Sequence, residues 1–149
     1  MTNNIRVSIM ALAFGITAGI GTAWILFYNG MIVGALAAYV ASTGVPRNTL
    51  IFWSLILPHG VPELAAIFLS GACGLMIGRA MIAPGNYTRK DAVIKSAREA
   101  VHLVPGIAVI LVIAGLIEGF FTPLGVPPGF KLGFALLTLF GLVLYFKKG

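Results

Sequence analysis

Charge is what this sequence has least of. Only 9% of its 149 residues are Asp, Glu, Lys or Arg, and four of those are acidic. Ordinary soluble domains carry about 25% charged residues. With 59% hydrophobic residues and a mean hydropathy of +1.02, too few polar side chains remain to cover a water-soluble globule. A lone cysteine, Cys73, excludes an intrachain disulfide and leaves the redox compartment unread. Two histidines and four acids offer little for general acid–base work, so the chain reads as a non-enzyme, and no motif calls for a cofactor or a resident metal. No polar linker or composition shift divides it, so residues 1–149 read as one transmembrane domain.

The net charge of +6 comes from bases that form no patch with interleaved aromatics. Arg79, Arg89, Lys90, Lys95 and Arg98 lie in or beside one polar loop, and Lys147 and Lys148 close the chain. That distribution fits the positive-inside rule rather than phosphate binding along a nucleic acid. It predicts a multi-pass protein of the cell membrane with loop 83–100 and the C-terminus cytoplasmic. The lipid bilayer is the first implied partner, and nucleic acid is not one.

Hydropathy and turn residues predict an all-α polytopic transmembrane bundle. About four full spans are expected, at 5–27, 61–82, 103–121 and 130–146. Asn29-Gly30 reads as a turn after the first span. The apolar pieces 31–41 and 49–57 are each too short to cross and are interrupted by 42–48, which predicts a broken or re-entrant helical segment. Pro58 should end that segment, and Pro62 should sit in the first turn of the next helix. Residues 88–102 carry apolar positions at helical spacing among charged ones and read as an amphipathic helix on the membrane surface.

Ionisable groups inside such sequence are costly and few. His59 and Glu63 stand within Leu57-Pro58-His59-Gly60-Val61-Pro62-Glu63, and Glu118 lies near the end of the following span. Antiparallel spans put both carboxylates at one depth, so His59, Glu63 and Glu118 form a candidate intramembrane polar cluster. Three uses compete. The cluster can be structural, with Glu63 at the N–H groups of its own helix start and His59 on a turn carbonyl. It can be a cation or proton site. A metal or catalytic centre is the third use, without HExxH-type spacing to support it.

Glycine is abundant, at 19 residues. Gly15-xxx-Gly19, Gly74-xxx-Gly78 and Gly115-xxx-Gly119 all fall inside predicted spans and suit close helix packing, within the chain, with a second copy or with another membrane protein.

Read in order, several pieces resemble the stage II sporulation protein M family of bacterial and archaeal membrane proteins. They are Asn3-Asn4-Ile5-Arg6, Gly19-Ile20-Gly21-Thr22, Asn29-Gly30 with Gly34, and Leu57-Pro58-His59-Gly60-Val61-Pro62-Glu63-Leu64. Gly71-Ala72-Cys73-Gly74-Leu75 with Gly78, Pro84-Gly85 with Thr88-Arg89, and Ala114-Gly115-Leu116-Ile117-Glu118-Gly119-Phe120 with Thr122-Pro123 complete them. Members usually carry an N-terminal cytoplasmic stretch and an earlier membrane helix. The match begins after these, which suggests a fragment or a naturally short member. The resemblance implies a role in endospore formers, anchoring a cell-wall-remodelling complex with two peptidoglycan-cleaving partners. In organisms without sporulation it implies chiefly the fold and the His59, Glu63 and Glu118 centre. The expected function is therefore a membrane scaffold that positions partner proteins. The alternative is a small transporter or channel component with a His/Glu ion or proton site.

Overall fold

A computed structural model describes residues 2–148. Five α-helices follow one another: α1 (Thr2–Ala13), α2 (Ile20–Ser42), α3 (Pro46–Ile82), α4 (Arg89–Leu116) and α5 (Pro128–Lys148). A 3₁₀ turn (Phe14–Thr17) separates α1 from α2, and α4 runs on into a π-helical turn (Ile117–Phe121). Among the described residues there is no strand. Four helices are long and apolar enough to cross a membrane: α2, α3, α4 with its π turn, and α5. The expected all-α polytopic bundle with four spans is what the chain forms, although several boundaries move.

The largest move is at the N-terminus. Residues 5–27 are not one span, because the helix breaks at Ala13 and resumes at Ile20 in the opposite direction. Ala18 and Gly19 take left-handed conformations, with φ of 57° and 81°. Irregular backbone at membrane depth requires its polar groups to be satisfied within the protein, and two threonines do this. Thr17 Oγ1 donates to Phe14 O at 2.7 Å and accepts from Gly21 N at 2.8 Å. Fully buried Thr22 donates to Ala11 O at 2.7 Å, capping a carbonyl that the end of α1 leaves open.

Packing explains why the break falls there. A methyl group on Gly15 would land in the backbone of Gly74, one on Gly74 in the carbonyl of Ala11, and one on Gly78 in the backbone of Gly19. The two glycine pairs therefore face each other, and α1 lies against α3 with its turn pressed onto 74–78. Gly15 and Gly19 are packing residues as expected, but they sit in and beyond a turn rather than within a helix. The third pair differs. Gly119 opens onto free space, so no close approach depends on it.

The broken segment expected at 31–58 is two helical pieces joined by a short turn, each continuing into a longer helix. Asn29-Gly30 lies inside α2, and only residues 43–45 separate α2 from α3. Helix α3 then runs through both Pro58 and Pro62 to Ile82. Each proline removes one N–H from the ladder, yet without competing water a membrane helix continues past such gaps. At 37 residues, α3 is about 55 Å long by the usual rise, more than the hydrocarbon thickness needs. Its buried residues fall almost wholly between Pro58 and Ala80, so that part is the packed span. The amphipathic 88–102 segment is likewise no separate surface helix but the first turns of α4, capped by Thr88 Oγ1 accepting from Asp91 N at 3.1 Å.

Helix α3 is the axis of the bundle, touching α1, α2, α4 and α5. Ala66, Cys73 and Ile77 from α3 meet Ala100, Ile107 and Leu111 from α4 in the core, with Ile5 and Leu12 of α1 against them. Substituting Gly74 by Val should cost about 3 kcal/mol through backbone collision with Ala11. Gly34→Ala, in open space on α2, should raise stability by about 0.5 kcal/mol. Unfolding of the detergent-solubilised variants by dodecyl sulfate titration checks both.

Candidate functional site

The end of α4 and the start of α5 meet the proline-rich part of α3, and there the buried polar groups gather. His59 Nδ1 lies 3.1 Å from Thr122 Oγ1. Thr122 closes the π turn, its backbone N–H reaching Ile117 O at 2.9 Å and its hydroxyl donating to the same carbonyl at 3.2 Å. Using the one hydroxyl proton there makes His59 Nδ1–H the donor to Thr122.

Helices α3 and α4 are antiparallel, and the His59–Thr122 contact fixes their register at this end. Four residues on along α3 is Glu63, and four residues back along the chain from Thr122 is Glu118. Counted from that contact, the two carboxylates fall at one level. Glu63 is buried, at 7% exposure, and Glu118 is half-buried on the π turn. Such turns interrupt the α ladder and are frequent at functional sites. Glu63 is not at a helix start, however, so the capping role expected for it is ruled out: it sits deep within α3, one residue after Pro62.

The sequence reading missed Lys131. This lysine is 5% exposed, and its Nζ donates to Thr122 O at 2.6 Å. It stands in the first turn of α5 and binds a carbonyl at the C-terminal end of the preceding helix, where open carbonyls and the helix dipole both favour a cation. A signal was present, since Lys131 is the lone charged residue between Glu118 and Lys147. Aromatic contacts hold the same junction, with Phe121 4.4 Å from Phe134 and 6.3 Å from Phe130 between ring centroids.

Depth limits what this layer can do. From His59 to Arg79 is twenty residues of α3, about 30 Å of rise, close to the thickness of a bilayer's hydrocarbon core. The His59/Glu63/Thr122/Lys131 layer and the Arg79 end thus stand about one hydrocarbon thickness apart along α3. Among the described residues, no three His, Cys, Asp or Glu side chains are grouped to hold a metal ion. The contacts that are made tie the interior of α3 to the end of α4 and the end of α4 to the start of α5.

Replacing Lys131 by Met removes a charge-assisted bond and should cost about 2 kcal/mol. Thr122→Val keeps the backbone carbonyl for Lys131 and should cost about 1 kcal/mol. Thermal unfolding in a common detergent should rank the two in that order.

The family model for stage II sporulation protein M matches residues 1–123, ending one residue past Thr122 and leaving α5 with Lys131 outside. An uncharacterized protein of Methanocaldococcus jannaschii is 31% identical over 124 residues, which is 83% of this chain and 68% of that relative. No solved structure matches. On the breadth of the family match and the identity to the archaeal relative, the chain belongs to the stage II sporulation protein M family.

Proposed function

We propose that this protein is a non-enzymatic membrane assembly factor that holds partner membrane proteins against its α2–α3 hairpin. The observation that carries the reading is the distribution of packing. Of α2 only Thr22, near its start, is buried, whereas half of the most apolar stretch of α3 is. Phe27, Met31, Leu36 and Tyr39 of α2 and Leu50 and Leu55 of α3 all expose their side chains. Membrane helices associate through packing and close approach, and Gly30 and Gly34 on α2 have open space beside them. A partner helix, from another protein or from a second copy, fits such a face. Family membership supports the reading to the extent that the family's sporulation role is one of assembly. On this reading the Arg79 end and the C-terminus face the cytoplasm, as the positive-inside rule has it.

A transporter is the second reading, favoured by the buried Glu63 just after the prolines inside α3. One set of variants separates the two. Photo-crosslinkers at Leu36 or Tyr39, installed in the native membrane, should yield a discrete protein adduct, and one at Leu137 on α5 should yield only lipid. Glu63→Gln and Glu118→Gln should leave the adduct intact. Proton or cation flux in proteoliposomes that vanishes in Glu63→Gln, with no adduct at Leu36 or Tyr39, would establish the transporter instead.

A further inference from the structure

Two sequence pieces have no part in the polar layer: Asn3-Asn4-Ile5-Arg6 and Tyr28-Asn29-Gly30. The reversal at Gly15–Gly19 brings them together. Thr22 bonded to Ala11 sets the antiparallel register of α1 and α2, and the register carries on to place Asn3 and Arg6 opposite Tyr28 and Asn29. Between them is a cavity of about 340 Å³ lined by Asn3, Arg6, Trp24, Tyr28, Asn29 and Ile32, with further apolar side chains of both helices completing the wall.

The depth of this cavity makes its chemistry informative. Ser8 of α1 and Ser70 of α3 line one neighbouring cleft and so share a level. Arg6 lies across the cavity from Tyr28 and Asn29, well inside the candidate span Ile20–Ser42, and so stands within the hydrocarbon region. A guanidinium there costs about 3 kcal/mol or more unless an anion or water meets it. No carboxylate lines the cavity. What lines it instead are a fork of five N–H donors, two carboxamides, a phenol and an indole. That set recognises an oxyanion bidentately while offering side contacts to its ester oxygens. The apolar remainder of the wall suits a hydrocarbon chain, and no residue of α3 lines the cavity.

We propose that this cavity binds the phosphate of an anionic membrane lipid, with Arg6 as the bidentate anchor, Asn3 and Asn29 as flanking donors, and the chain lying along α2 beside Trp24. A free phosphate ion has the same head chemistry but gains nothing from the apolar wall, so the lipid is the occupant the lining favours. The site is independent of the assembly role above, since it lies on the α1 side of α2.

Trp24 supplies the readout. In a Trp53→Phe background, the full chain is reconstituted into phosphatidylcholine nanodiscs containing a few per cent of dibrominated phosphatidate, or the same fraction of dibrominated phosphatidylcholine. Phosphatidate should quench Trp24 at least about fivefold more effectively per molecule, since local enrichment multiplies contact. Arg6→Gln should abolish that preference, and Arg6→Lys, which keeps the charge but loses the fork, should keep only part of it. Arg79→Gln, outside the cavity, should leave it unchanged. Millimolar inorganic phosphate should not reverse the quenching. Equal quenching by both lipids in the parent protein would overturn the site. So would an Arg6→Gln variant that folds, by far-UV circular dichroism, and still prefers phosphatidate. Loss of the preference in Arg79→Gln would reduce it to general charge attraction, and reversal by inorganic phosphate would reassign the site to the free ion. Should Arg6→Gln fail to fold, Asn29→Leu replaces it, with a severalfold loss expected and an unchanged preference overturning the site.

Discussion

The backbone contact between Gly15–Gly19 and Gly74–Gly78 is the constraint on which the rest of this fold depends. Here two chain segments approach so closely that a single methyl on Gly15, Gly74 or Gly78 would overlap backbone atoms. In lipid there is no hydrophobic force to drive apolar helices together, so close packing and internal hydrogen bonds must do it. The contact joins both. Thr22, wholly buried, packs against Gly74 and donates to Ala11 O, tying α1, α2 and α3 at one point. Because α1 stops there and the chain turns back, α2 becomes the first full crossing, and the order of all later spans follows.

The two ends of the bundle are held differently. Near Gly74 the glue is small residues and threonine hydroxyls. About 25 Å away along α3, at His59 and Thr122, it is a histidine, a threonine and a buried lysine. The second arrangement answers a specific problem. The α4 helix ends in a π turn whose carbonyls would otherwise face lipid, and Lys131 from the next helix reaches back to Thr122 O. The contacts made there join helix to helix, with buried Lys131 taken up by a backbone carbonyl, and among the described residues no His, Cys, Asp or Glu group could hold a metal ion. This is why the layer reads more readily as a clasp than as the centre of a transport path.

How much of this was legible in the sequence varies by feature. Class, span number, the basic end and the shared level of Glu63 and Glu118 all follow from hydropathy and antiparallel counting. The misread helix ends have one cause: rules learned from helices in water. Pro58, Pro62 and Asn29-Gly30 end helices where solvent competes for the freed backbone groups, and α3 and α2 pass through them unbroken. A different cause hid the reversal: past Arg6 and Ser8, 5–27 is predominantly apolar, so hydropathy could not show it. The local sequence could, since Gly15-Ile16-Thr17-Ala18-Gly19-Ile20-Gly21-Thr22 packs three glycines and two threonines into eight residues. Lys131 was visible as a lone charge, but its partner, a backbone carbonyl on another helix, leaves no mark in sequence.

The reversal also decides what Arg6 is. Had residues 5–27 formed one straight span, Arg6 would be an ordinary interfacial arginine at the head of a helix, cheaply hydrated. Folding back at Gly19 instead lays α1 along the middle of the bundle and sets Arg6 against Tyr28 and Asn29 within the hydrocarbon depth. The same glycine contact that orders the spans therefore carries a cation into the membrane, where it needs an anion. A fold that only needed to cross the bilayer would gain stability by placing an apolar residue at that position. Arg6 makes structural sense chiefly when something negatively charged comes to it from the lipid.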